Sequence, residues 1–201
     1  PWLVVEFDEF LGQAKWQILE IIAKTPSSPI EIAKEIKTSV AYVSQQLKIL
    51  EAVNLVVKEK TGEFQKGKPR SLYSISKDVL YVTSLLRGFP QKKLLYPSDS
   101  QKIVSRIWMI EKSSYHYALE KYYWAIEDHI DNVDGLYLKG DTVIVISKDK
   151  EVSSITTSFS KHPKIKQLGL EFQVLSKFDH SHHTSTHLHS MYDPLKNLSQ
   201  D

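Results

Sequence analysis

Ser39–Val56, SVAYVSQQLKILEAVNLV, is the stretch on which the fold turns. At about 100° per residue, an inward face centred on Val43 brings Leu47 and Leu50 beside it and Gln46 to the flank. Ala41, Gln45, Lys48 and Ala52 then fall opposite, and Tyr42 and Ser44 take the two shoulders. The apolar stripe accounts for folding. The other side carries small, amide, hydroxyl and basic groups. Helices with such groups in water are common, so the neighbouring segments decide what this face means.

Upstream, GQAKWQILEIIAK places Ile18, Leu19, Ile21 and Ile22 at helical spacing, and TPSSP interrupts it. Pro29 suits the first turn of a new helix with Ser28 as its cap. PIEIAKEIK is short, and Thr38 or Ser39 can cap the helix that follows. This is a helix-turn-helix pattern. Downstream, LVVKEK reads as a strand, TGEFQKGKP as a long loop with two glycines, and RSLYSIS as the returning strand. A hairpin in that position is a wing.

The outward helix face suits duplex DNA. Small residues allow close approach, and Gln45 can bond an adenine edge through both amide atoms. Ser39, Ala41, Tyr42, Ser44, Gln46 and Lys48 complete the candidate contact set on the helix, with Lys58, Lys60, Lys66, Lys68 and Arg70 on the wing. Between Lys34 and Arg70 there are eight Lys/Arg against four Asp/Glu, whereas the whole chain is only +2. The basic character is therefore local, as phosphate binding requires.

The segment SPIEIAKEIKTSVAYVSQQLKILEAVNLVVKEKTGEFQKGKPRSLYSISKD resembles the winged helix-turn-helix of ArsR- and MarR-type transcription regulators, especially archaeal ones. The resemblance covers roughly the first 80 residues. It implies that YVSQQLKILEAVNLV is the recognition helix and its exit into the wing. It also implies that Ala41, Tyr42, Ser44, Gln45, Gln46 and Lys48 face DNA, while wing lysines or arginine meet the backbone. Such proteins are commonly dimers on near-palindromic operators. Where they usually have glycine, this chain has Asn54, which tolerates a left-handed backbone nearly as well. Metal-sensing ArsR members use paired cysteines, and this chain has none.

Beyond the wing, SKDVLYVTSLLRGF reads as one helix with a serine cap and a terminal glycine, and PQKKLLYPSD as a linker. Asp99 to Asn132 lacks proline and glycine. As one unbroken helix it would reach about 50 Å; a break near KSSYH would make two shorter ones. Its aromatic run, YHYALEKYYWAIEDH, needs more than one neighbour to cover it, and a dimer partner is one solution. DGLYLKG and DTVIVISKD read as strands around a turn at Gly140–Asp141; a partly helical segment and the strand LEFQVLSKF follow. The expected organisation is α+β: a winged helix-turn-helix over 9–78, a helical linker and dimerisation region with a central long helix over 79–132, a small α/β domain over 133–179, and a His-rich flexible tail over 180–201.

Hydrophobic residues at 41% and charged residues at 25% describe a folded rather than a disordered chain. The absence of cysteine excludes disulfides and thiolate chemistry. No apolar run is long enough for a membrane span, PWLVVEF is too short for a secretory signal, and a cytoplasmic location is expected. The start at Pro1 suggests processing or trimming. Asp134, Asp141 and Asp149 form no close acidic pair, and Gly135 and Gly140 read as turn glycines, so no catalytic site or cofactor is assigned. His180, His182, His183, His187 and His189 are dense enough to attract Zn²⁺ or Ni²⁺, but nothing fixes their geometry, so no metal site is assigned. The expectation is a regulator that binds double-stranded DNA as a homodimer, a repressor by resemblance, with an unidentified effector for the C-terminal part. The alternatives are a protein-interaction adaptor and a nucleic-acid-processing enzyme.

Overall fold

Ser28, buried at the start of the second helix, shows how local chemistry sets the first boundaries. Its Oγ accepts from the Glu31 amide at 3.4 Å, while its own amide donates to Glu31 Oε2 at 2.7 Å. This reciprocal capping box, followed by Pro29, fixes the entry to the helix. The computed structural model describes residues 10–65, 68–178 and 188–195; for 61–65 and 68–70 it describes backbone alone. The chain divides into two units, residues 1–97 and 98–201.

The first unit runs α1 (Gln13–Lys24), α2 (Pro29–Glu35), α3 (Val40–Ala52), β1 (Val56–Gln65), β2 (Lys68–Ile75), β3 (Leu80–Leu86) and β4 (Phe89–Leu95). Its core joins Ile18 and Ile22 of α1, Ile32 and Ala33 of α2, and Val43, Leu47 and Leu50 of α3 to Leu55, Val56 and Tyr73 at the base of the wing. Burial of each large aliphatic side chain stabilises the unit by about 2 kcal/mol. Asn54 closes α3 at φ 59°, as its left-handed tolerance predicts. Lys37, in the turn between α2 and α3, also takes positive φ, at 55°, and no residue-type signal announces it.

The wing is an antiparallel β1–β2 pair. Pairing continues to Gln65↔Lys68, so most of the expected long loop is strand. The register breaks between Lys60 and Phe64, around Gly62, which explains why glycine reads as loop: it marks an irregularity within the hairpin. Ser27 and Tyr73 exchange both backbone hydrogen bonds, at 3.0 and 2.9 Å, tying β2 to the segment before α2.

SKDVLYVTSLLRGF is not a helix, and Ser76 caps none; the stretch contributes to a hairpin, β3–β4, with Leu86↔Phe89 flanking Arg87–Gly88. Gly88 at φ 79° makes the turn. A glycine after an apolar run marks a helix end or a hairpin turn equally well, and the aromatic and β-branched run Tyr81, Val82 and Thr83 suits a strand. Pro90 fits because a two-stranded pair has only edge strands.

The second unit begins with α4 (Asp99–Trp108) and α5 (His116–Ile126), so the central long helix is replaced by two shorter ones. A 3₁₀ turn at Ser113–Tyr115 separates them, and another, Glu127–Asn132, follows α5. The break lies at KSSYH: Tyr115 is drawn into the core, and the His116 ring, Nε2 2.7 Å from the Ile110 carbonyl oxygen, satisfies an acceptor past the end of α4. Then come β5 (Val133–Lys139), β6 (Thr142–Ser147), α6 (Lys150–Ser160), α7 (Pro163–Leu168), β7 (Glu171–Leu175) and β8 (Leu188–Tyr192).

The sheet order is β7-β6-β5-β8, with β6 and β7 parallel and the other neighbours antiparallel. Leu136, Leu138, Val143 and Val145 face a core shared with α4, α5 and α6; Tyr137, Ile144 and Ile146 form a smaller cluster on the opposite face. Gly140 makes the β5–β6 turn, but Gly135 is no turn residue. It lies in β5, where an added Cβ would stand 2.7 Å from the Tyr137 hydroxyl oxygen. The tail is not wholly flexible either. Residues 188–192 pair with β5, and His189 Nε2 lies 2.7 Å from the Arg106 carbonyl oxygen. His180, His182, His183 and His187 lie outside the described residues.

Candidate nucleic-acid interface

α3 is capped by Ser39, whose Oγ accepts from the Tyr42 amide at 3.2 Å. Val43, Leu47 and Leu50 are each 0% exposed and lock the helix's rotation about its axis. That rotation leaves Ala41, Gln45 and Lys48 exposed along the opposite side, with Tyr42 exposed on one shoulder and Ser39 exposed at the N-cap. Ser44 and Gln46, on the flanks, are half-buried. The structure thus leaves five of the seven helix candidates exposed, three of them on the face opposite the seam, and half-buries the other two.

Lys58 and Lys60 are exposed on β1. The Lys58 ammonium stands 5.8 Å from the Tyr73 ring centroid, a cation–π contact that steadies it. Lys68 and Arg70 belong to β2, though only their backbone is described, and Lys66 lies outside the described residues. Lys34 and Lys37 add exposed cations at and just beyond the end of α2.

Periodicity missed Val40. It is exposed in the first turn of α3 beside Ala41, where a valine reads naturally as core. Ile49 is likewise exposed near the helix's other end. Apolar groups on a groove-facing helix can touch thymine methyls. For Ile49 the sequence signal is its angular distance from the Val43–Leu47–Leu50 seam; Val40, three residues before Val43, falls beside that seam by spacing, so nothing in the period sets it apart.

Two acidic residues of the second unit, Asp141 and Asp149, have structural duties. Asp149 caps α6, accepting from the Glu151 amide at 2.7 Å and from Asn132 Nδ2 at 2.6 Å. Asp141 accepts from the Tyr115 hydroxyl at 2.8 Å and pairs with Lys112 at 3.2 Å. Those two partners, Tyr115 foremost, hold the Asp141 carboxyl below the usual range. Among the described residues no cluster of three or more His, Asp or Glu is arranged to hold a metal ion. No described helix is long and apolar enough to cross a membrane.

Residues 12–58 match the family model described as bacterial regulatory protein, arsR family. The match spans α1, α2, α3 and the start of β1, so the N-terminal region carries an ArsR-type helix-turn-helix. No curated protein matches the chain.

Proposed function

Because residues 12–58 are ArsR-like, we propose that this chain regulates transcription by binding double-stranded DNA sequence-specifically. α3 enters the major groove, with Gln45 contacting a base edge and Ser39, Tyr42, Ser44, Gln46 and Lys48 bonding bases or phosphates. The wing cations, Lys58, Lys60, Lys66, Lys68 and Arg70, brace the backbone. The observation that carries this reading is the exposed Ala41–Gln45–Lys48 side set opposite the fully buried Val43–Leu47–Leu50 seam, beside a basic hairpin. The mechanism is non-covalent, repression is favoured by family resemblance, and a cytoplasmic location accompanies the role.

Dimerisation belongs to the same proposal. Trp108 donates its indole N–H to Glu120, and Trp124 lies one turn further along α5; both rings remain about half exposed, beside exposed Met109. An aromatic patch of this kind suits a partner copy, whose two-fold symmetry would match a palindromic operator. Selection of bound duplexes from a random pool tests the DNA role. Gln45→Ala is expected to relax base preference at one position of each half-site, whereas Lys60→Ala weakens binding without changing preference. Unchanged preference with Gln45→Ala removes that residue from the reading role, and no duplex selected by the parent chain removes the whole proposal.

A second reading, protein-interaction adaptor, draws on the β3–β4 tip. There Leu85 is 86% exposed and Leu86 68%, with Phe89 beside them. Salt-insensitive capture of a protein, without duplex binding, would favour it.

A further inference from the structure

A cleft of about 540 Å³ opens in the second unit between α5, the Ser113–Tyr115 turn and the α6–α7 corner. Its origin is legible in one row of the α5 face. Tyr122 fills the space it faces, with its ring centroid 5.3 Å from that of Phe159. One turn earlier the row holds only Ala118, and the 3₁₀ turn before α5 adds only the small Ser114, so this side falls short of α7 there. Ala118 and Ile165, 3% and 4% exposed, close the bottom, and Phe159 and Leu168 form apolar walls.

The mouth has a different chemistry. Lys121, Lys164 and His162 line it, and no carboxylate does. The Lys121 ammonium stands 5.6 Å from the Tyr117 ring centroid. The His162 ring is oriented by the Lys164 amide, which donates to Nδ1 at 3.3 Å. An apolar floor beneath a cationic, carboxylate-free rim selects a molecule with the opposite polarity at its two ends. The volume falls in the ordinary range for small-molecule sites, roughly 300–1,000 Å³.

We propose that this cleft is a binding site for a small amphipathic carboxylate. The apolar body lies on Ala118, Phe159 and Leu168, and the carboxylate sits between Lys121 and Lys164 as the acceptor of charge-assisted hydrogen bonds. The site stands independently of the DNA reading, because it is defined wholly within residues 114–168.

The probe is sodium decanoate, with neutral 1-decanol as its partner, added to the full chain in the absence of DNA. Titration is followed by the NMR methyl signal of Ala118 and by calorimetry. Saturable decanoate binding that shifts Ala118 is expected, with 1-decanol weaker by roughly tenfold or more. Lys121→Gln combined with Lys164→Gln changes exposed side chains only; it is expected to erase the preference for decanoate while leaving the decanol affinity unchanged. Ala118→Leu, which fills the floor, is expected to weaken both probes, with far-UV circular dichroism checking that the chain stays folded; if that variant unfolds, the lysine pair carries the test. No saturable shift at Ala118, or decanoate binding indifferent to both lysines, overturns the proposal.

Discussion

Tyr122 Oη and Thr156 Oγ1 stand 2.7 Å apart in the core of the second unit, and Thr156 Oγ1 donates in turn to the Val152 carbonyl at 2.7 Å. The threonine proton is therefore committed along α6, and Tyr122 is the donor in the pair. Its ring packs against Phe159 and Phe172, so one phenol links α5, α6 and β7.

Burial pushes the Tyr122 phenol up to about 12 from its ordinary 10.0. The unfolded chain then ionises first, so the stabilising contribution is complete below pH 10 and is lost as pH rises through about 12. Up to ~3 kcal/mol is involved. Denaturant titrations across that window should show a steep loss for the parent chain and a shallower one for Tyr122→Phe.

Asn54 holds φ 59° at the exit of α3, where its amide donates to the Glu51 carbonyl at 3.0 Å. Asn54→Gly should change stability by less than about 0.5 kcal/mol, and Asn54→Val should lower it by about 1–2 kcal/mol. Urea midpoints at constant slope measure both.

Gly135 lies beneath the fully buried Tyr137 ring, whose hydroxyl donates to Asp193 at 2.9 Å. Gly135→Ala should displace the ring and cost about 1–3 kcal/mol. The NMR signals of Tyr137 and Asp193 should move together; signals that stay in place would show that β5 accommodates the methyl without disturbing the ring.

If Lys58 and Lys60 meet phosphates, replacing either with Gln should reduce the salt dependence of duplex affinity by about one unit of log–log slope. An unchanged slope assigns the electrostatic contacts elsewhere. The measurement separates wing cations that touch DNA from those that only keep the surface charged.

The helix-turn-helix was legible because each of its signals is local. Ser28, Glu31 and Pro29 act within one turn, and the Val43–Leu47–Leu50 seam repeats at the helical period. What escaped depends on partners distant in the chain. LHSMY is a strand because β5 offers it an edge, and no apolar–polar alternation of its own announces it. A break near KSSYH is one of the two readings that the sequence of Asp99–Asn132 allows, but what decides for it, the Tyr115 hydroxyl reaching Asp141 and the Leu168 carbonyl, is encoded by no helical period. In β3–β4, Gly88 gave a stop signal without saying which kind of element it ended. On the proposed interface, spacing puts Gln46 on the flank and Ser44 on a shoulder, and both are half covered, whereas Gln45, opposite the seam, is exposed.

The reciprocal Ser27–Tyr73 bridge makes the hairpin and the helix pair a single stiff bracket. A bracket of set span gauges its object instead of moulding to it. On the DNA-binding reading, duplexes whose intrinsic shape already suits that span would be preferred, including through base pairs that no side chain touches.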